Sequence, residues 1–185
     1  MARKSFAELR NEIAALIQDN TTNLIEPADV RAVLLDTLEA IQPAYGVLSR
    51  LVSSGAVVAG ITPAVKATWQ AASDSDPGQT TSVFASGTIA RSERGTTEIT
   101  FNADMEAPTG RYVTFTLFKN GVATPWRVTG NGGGTGNPVA VSMVTIDYAD
   151  PAATYDIRIT AEVANVTVTL SNMTLIARVL PVNTY

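Results

Sequence analysis

Two different hydrophobic periodicities divide the chain. In residues 1–45, apolar side chains recur at intervals of three and four, which is the spacing of one face of an α-helix. From about residue 65 onward, apolar and polar residues alternate one by one, as they do in a β-strand with one buried face. The sequence therefore predicts a helical N-terminal part followed by a β domain.

The helical pattern predicts two short amphipathic helices. Ser5, followed three residues later by Glu8, has the form of an N-terminal capping box, and Pro27 stands where the first turn of a second helix accepts proline. The first apolar stripe contains Phe6, Leu9, Ile13, Leu16 and Ile17, and the second contains Val30, Leu34, Leu38 and Ile41. Such short helices cannot enclose a core of their own. We expect the stripes to pack on each other, on sister copies, on another protein, or on the chain's own β domain.

Residues 46–64 are small and weakly patterned. The part from Ser53 to Gly60 predicts a linker, and Val47, Leu48 and Leu51 are compatible with an extension of the preceding helix. We therefore predict three regions: an N-terminal helical anchor (1–45), a linker (46–64) and a β-sandwich domain (65–185).

The β domain is predicted from alternation and from turn signals. Alternation is clearest in residues 97–101, 113–117, 155–163 and 166–170. Turn signals such as Asp76-Pro77-Gly78 and Asn120-Gly121 separate the strands at intervals of about ten residues. Eight or nine antiparallel strands at this spacing indicate a mainly β fold, namely an antiparallel β-sandwich.

Some predicted strands carry apolar residues on both faces. Val144 and Ile146 follow Met143, and similar residues occur on two other strands: Tyr112 and Phe118, and Ile176 and Leu180. A sandwich needs only one apolar face per sheet, so the second face indicates contact with a neighbour. A β-bulge at Met143–Val144 is the alternative explanation for that strand. Three such strands together favour a subunit interface.

The charge composition limits the possible partners. Charged residues make up 16% of the chain, against about 25% in typical proteins, and the net charge is −4. Nucleic-acid binding depends on Lys and Arg that neutralise phosphates, so we expect no nucleic-acid partner. No apolar run approaches about 18 residues, and we predict no membrane-spanning helix and no membrane partner.

The reactive residue types and motifs in the sequence argue against catalysis. The sequence has no histidine and no cysteine, which excludes His-based triads, thiolate chemistry and zinc sites with nitrogen or sulfur ligands. The glycine-rich segment 130–136 lacks the lysine of a P-loop, because Asn137 follows Gly136, and a strand pattern rather than a helix comes next. We interpret that segment as a flexible connection. We predict no enzyme, no cofactor and no metal site; a hydrolase with paired carboxylates is a minor alternative.

Two segments resemble known proteins. DNTTNLIEPADVRAVLLDTLEAI (19–41) resembles the N-terminal segment of tailed-bacteriophage virion proteins, in which two short helices precede a β-rich region. The β domain looks like a jelly roll of the tumour-necrosis-factor or C1q type, especially in TFTLFKNGVATP and VTLSNMTLIARVLPV. One departure is that ADPAATYD (149–156) replaces the Gly-Asp pair often found before the penultimate strand of C1q-like domains.

The resemblance implies a non-enzymatic virion structural protein, assembled in the host cytoplasm. It would be a homotrimeric capsid decoration, head fibre or short fibre. The nine apolar residues of its two helical stripes would attach it to capsid, portal, neck or tail proteins. The alternative is a receptor-binding or glycan-binding tail-fibre head, in which Trp69, Trp126 and Tyr112 stack on the sugars of a host surface glycan.

Overall fold

The structure is a computed structural model. It describes residues 45–50, 56–74, 80–83, 86–91, 95–149 and 152–180, together with Val30, Ala32 and Leu34. The chain divides into two compact units, Met1–Pro43 and Ala44–Tyr185. In the first unit, the three described residues are helical and exposed. No helix among the described residues is long and apolar enough to cross a membrane.

The described part of the second unit contains twelve strands in two antiparallel sheets. The strands are β1 (Tyr45–Arg50), β2 (Ala56–Ala59), β3 (Val65–Lys66), β4 (Ala71–Asp74), β5 (Thr80–Val83), β6 (Thr88–Arg91), β7 (Gly95–Glu106), β8 (Tyr112–Lys119), β9 (Val122–Asn131), β10 (Val139–Ala149), β11 (Thr154–Ala161) and β12 (Val166–Val179). Sheet A has the order β10-β7-β12-β1-β4, and β2 also pairs with β12. Sheet B has the order β5-β6-β11-β8-β9, and β3 also pairs with β11.

The core lies between the sheets and is built by alternating positions. In β7, every second residue from Gly95 to Met105 is buried, and β8 buries Val113, Phe115 and Leu117 in the same way. Phe101 of sheet A contacts Phe115 of sheet B, with ring centroids 5.3 Å apart. Each such side chain contributes about 1.5–3 kcal/mol through burial. The predicted antiparallel β-sandwich is confirmed.

The segment 46–64 belongs to the sandwich, so its assignment to a linker was wrong for the residues described. β1 lies between β12 and β4, and β2 pairs with the first residues of β12. Leu48 is completely buried, and it is part of a strand rather than of a helical extension. Sheet A therefore begins at Tyr45 and not at residue 65.

The described residues from 65 onward form ten strands, whereas alternation predicted eight or nine. The difference comes from β3, β4 and β5, which contain two to four residues each. Strands this short complete at most two periods of alternation, so the sequence pattern does not reveal them. The turn at Asn120-Gly121 does match its prediction, because both residues have positive φ angles (53° and 76°), as a tight hairpin requires.

The glycine-rich segment 130–136 is fixed by the backbone around it. The Gly132 amide donates to the Arg111 carbonyl (2.8 Å), and the Gly134 amide donates to the Ala107 carbonyl (3.0 Å). A Cβ on Gly132 would lie 2.6 Å from the Ala107 oxygen, which is too close for any side chain. The glycines are therefore needed for a close approach of two backbones. The interpretation as a flexible connection was wrong.

Candidate functional site on the outer face of sheet A

Sheet A turns one face to the core, and its other face carries exposed apolar side chains along one edge. On the edge strand β10, Val144, Ile146 and Tyr148 are 63%, 58% and 60% exposed. They alternate with buried residues, and β10 pairs with β7 over eleven residues without a register shift. The alternative of a bulge at Met143–Val144 is therefore wrong. The second apolar face of this strand points away from the core.

The register of sheet A aligns further apolar residues with those of β10. One row across the outer face contains Val144, Thr100, Ile176 and Val47. The adjacent row contains Ile146, Glu98, Arg178 and Tyr45. We refer to the six apolar residues of this face as the sheet A patch; they are Tyr45, Val47, Val144, Ile146, Tyr148 and Ile176.

The sheet A patch surrounds one pair of opposite charges. Glu98 on β7 and Arg178 on β12 are register partners on the outer face. They form no ion pair with each other or with another described residue. Arg178 is exposed on this face and Glu98 is partly exposed.

Five polar side chains connect the two sheets near the end of β10. The Tyr155 hydroxyl donates to Asp147 Oδ2 (2.6 Å), and Lys119 Nζ lies 2.7 Å from the same oxygen. Beside them, the buried Arg91 donates to the Thr97 hydroxyl. Burial, together with the hydrogen bond to Asp147, raises the pKa of Tyr155 far above its ordinary value of 10.0. These contacts hold the strand that carries three residues of the sheet A patch.

The structure describes only two of the nine predicted anchor residues, Val30 and Leu34. Both are helical and exposed. The other seven lie outside the described residues; they are Phe6, Leu9, Ile13, Leu16, Ile17, Leu38 and Ile41. Their role as an anchor stays a prediction.

Sequence reasoning found part of the sheet A patch and missed the rest. The doubly apolar patterns identified Val144, Ile146 and Ile176. Tyr45 and Val47 were missed because their segment was interpreted as a linker or a helical extension. The register partners Ile176 and Val47 become neighbours only through the pairing of β12 with β1, which joins distant parts of the chain.

The three aromatic residues considered for sugar binding have different environments. Trp69 is part of the buried core, so the hypothesis that it stacks on a sugar is wrong. Trp126 is half-buried and packs against the core. Tyr112 is 50% exposed at the start of β8, and it is the most exposed of the three.

The strand order of the two sheets defines a jelly roll, and two solved structures share this fold. Murine APRIL at pH 5.0 matches with a TM-score of 0.54 and 9% identity, over 75% of this chain and 100% of that chain. The Eiger TNF of S. frugiperda matches with a TM-score of 0.53 and 10% identity, over 75% of this chain and 94% of that chain.

A weaker similarity links the chain to the globular domain of zebrafish complement 1qA. Its TM-score is 0.49 at 17% identity, over 75% of this chain and 97% of that chain. The fold assignment rests on the two stronger matches, and at these identities the similarity concerns the fold alone. No protein-family model and no curated protein sequence matches the chain.

Proposed function

We propose that the protein is a non-enzymatic structural component of a tailed-bacteriophage virion. It assembles as a homotrimer through the outer face of sheet A and is attached to the particle by its N-terminal helices. The jelly roll is displayed outward as a capsid decoration, head fibre or short fibre. The observation that supports the assembly most directly is the sheet A patch.

The size of the face fits an assembly interface. Five strands at about 4.8 Å spacing and about nine residues of length give a surface of roughly 700 Å². A standard interface buries about 800 Å² on each partner, which is of the same order. Between the apolar residues of the face, Thr100 adds little desolvation cost, and the charges of Glu98 and Arg178 are of opposite sign. A second copy of this chain is the partner that this face fits best.

The residues of the sheet A patch lie both on the edge strand and in the interior of the sheet, and this arrangement favours a ring of copies over a two-fold dimer. Val144, Ile146 and Tyr148 project from the edge strand, whereas Ile176 and Val47 lie in the interior of the sheet. The edge of one copy therefore packs on the centre of the next, which is a head-to-tail contact. Contacts of this kind form a ring when the rotation between copies closes, and the trimer is the smallest such ring.

Sedimentation tests the trimer directly. Ile146→Asp places a charge in the contact, and we expect this variant to sediment as a monomer while the unmodified protein sediments as a trimer. Val122→Asp is the matched control, because Val122 is 69% exposed on sheet B, outside the patch, and should leave the trimer intact. A monomeric unmodified protein at micromolar concentration would refute the assembly.

The virion role is supported by the N-terminal resemblance and by the exposed apolar helix residues Val30 and Leu34. The absence of histidine and cysteine from the sequence agrees with a structural, non-enzymatic role. Mass spectrometry of purified particles tests the role, with immunogold labelling to locate the protein on head, neck or tail. Absence of the protein from purified particles would refute it.

Binding of a host surface glycan is the second candidate function. It is favoured by one observation, the exposed ring of Tyr112 on the outer face of sheet B. It does not compete with the trimer for surface, because the trimer uses the opposite sheet.

A further inference from the structure

The outer face of sheet B is polar and ordered in rows by the strand register. The outward residues of β8 are Tyr112, Thr114, Thr116 and Phe118, which alternate with the buried core residues. One row across the face contains Thr129, Thr114 and Thr160. The next row contains Arg127, Thr116, Arg158 and Lys66. The face therefore combines an aromatic ring, a ladder of hydroxyls and a row of cations.

The row of cations is only partly neutralised. Arg158 donates to the buried carboxylate of Asp156 through Nε (2.7 Å) and Nη2 (3.3 Å), and Lys66 Nζ lies 3.5 Å from the same carboxylate. Arg127 is exposed and has no ion-pair partner among the described residues. The three cations of the row thus have one carboxylate among them, and it contacts only Arg158 and Lys66. This makes the row locally positive on a chain whose net charge is −4.

The central guanidinium of the row is held in place. The Arg158 guanidinium carbon lies 4.1 Å from the centre of the Phe118 ring, and the bonds to Asp156 fix its plane. Its Nη1 has no acceptor among the described residues, so this nitrogen can donate to a ligand. A cation fixed in this way loses little conformational entropy when an anion binds.

The hydroxyl ladder and Tyr112 extend the face away from the cations. Thr114 and Thr129 lie with their hydroxyl oxygens 2.8 Å apart, and hydroxyls both donate and accept. Tyr112 is four residues from Thr116 along β8, a distance of about 13 Å. A ligand that spans this distance needs an anionic group at one end, hydroxyls along its length and a flat apolar face at the other end.

We infer that the outer face of sheet B binds an extended acidic polysaccharide. Its carboxylates contact Arg127 and Arg158, its hydroxyls contact the threonines, and one sugar ring stacks on Tyr112. Nucleic acid fits less well, because its regular phosphates require more cations than this row offers. This ligand class deepens the second candidate function, glycan binding, and rests on it. The site does not depend on the trimer, because every contact lies within one chain.

Titration calorimetry with defined oligosaccharides tests the inference. The acidic probe is hexagalacturonate, and maltohexaose is the neutral probe. We expect binding of hexagalacturonate that weakens with added sodium chloride, and no measurable binding of maltohexaose. Arg127→Gln should weaken binding about tenfold, since a hydrogen-bonded charge is lost. Tyr112→Ala should weaken it about fivefold.

Matched controls separate a site from a general charge effect. Arg10→Gln removes the same charge from the other compact unit and should leave binding unchanged. Ile146→Asp should also leave the affinity of each chain for hexagalacturonate unchanged. This variant therefore distinguishes a failure of the proposed trimer from a failure of the proposed ligand site. Absence of hexagalacturonate binding would overturn the inference. Equal binding of polyglutamate or single-stranded DNA, with no effect of Tyr112→Ala, would also overturn it, because the face would then bind any polyanion.

Discussion

At the residue scale, the hydrogen bond between Tyr155 and Asp147 joins the two sheets through a group that titrates. The phenol is buried in sheet B, and its acceptor lies in sheet A beside Lys119. Its pKa lies above 10.0 in the folded protein, whereas the unfolded chain keeps the ordinary value. Above pH 10 the unfolded chain therefore releases a proton that the folded protein retains. The free energy of unfolding then falls by up to about 1.4 kcal/mol per pH unit.

The first prediction concerns Tyr155→Phe. We expect this variant to lose about 1–2 kcal/mol of unfolding free energy at neutral pH, because the cross-sheet hydrogen bond is absent. It should also lose less stability than the unmodified protein when the pH rises above 10. Urea unfolding below and above pH 10 measures both effects. Tyr112→Phe, at an exposed tyrosine, is the control. Parallel pH curves for the Tyr155→Phe variant and the unmodified protein would contradict the prediction.

The second prediction concerns the glycine-rich segment. Gly132→Ala would bring a methyl group against the Ala107 carbonyl, where only backbone movement can make room. We expect a loss of more than about 2 kcal/mol in thermal or urea unfolding. Gly60→Ala is the control, because a Cβ there meets no atom within 4 Å, and the change should stay within about 0.5 kcal/mol. Equal stability of the two variants would show that the segment adapts freely.

The residues of the core could be predicted from the sequence, whereas the contacts of the site could not. Successive side chains of a strand point to opposite faces of the sheet, so the alternation of apolar and polar residues was enough to assign inner positions. It assigned Phe101, Phe115 and Ile157 correctly to the inner faces. The sheet A patch depends on which strands are neighbours. That information lies in pairings between distant segments, such as Tyr45 with Arg178, and no local pattern encodes it.

At the element scale, β1 decides where the second compact unit begins. It pairs with β12 along Tyr45–Arg50 and with β4 on its other side, and it places Leu48 in the core. Its sequence, YGVLSR, lacks the β-branched and aromatic density that marks strands in isolation. The pairing partners on both sides provide the stability that the local sequence does not.

The third prediction compares two fragments. We expect residues 44–185 to fold, because they contain the whole second compact unit. Residues 65–185 lack β1 and β2, which leaves β12 and β4 with unpaired backbone groups and opens the core at Leu48. This shorter fragment should unfold or aggregate. Near-ultraviolet circular dichroism and sedimentation of both fragments provide the test. A shorter fragment as stable as the longer one would mean that β1 contributes little.

At the scale of the whole molecule, the two sheets offer chemically different outer faces. Sheet A presents apolar residues, threonines and the opposite charges of Glu98 and Arg178, which suit a second copy of the chain. Sheet B presents a row of cations, hydroxyls and Tyr112, which suit a hydrophilic ligand. Assembly through sheet A would leave the face of sheet B directed outward on every copy, so that a trimer carries three equivalent ligand surfaces and gains affinity from multivalency.

The last prediction separates attachment from folding. Leu9 and Ile13 belong to the first predicted apolar stripe, in the unit Met1–Pro43, which is a compact unit distinct from the jelly roll. The double substitution Leu9→Asp and Ile13→Asp places charges in the predicted contact with the particle, at a cost of several kcal/mol. We expect a folded trimer that no longer appears on purified particles. Circular dichroism and sedimentation of the free variant are measured beside its occupancy on virions by mass spectrometry. Full occupancy would show that the helices are not the anchor, whereas loss of the β signal would show that they stabilise the jelly roll itself.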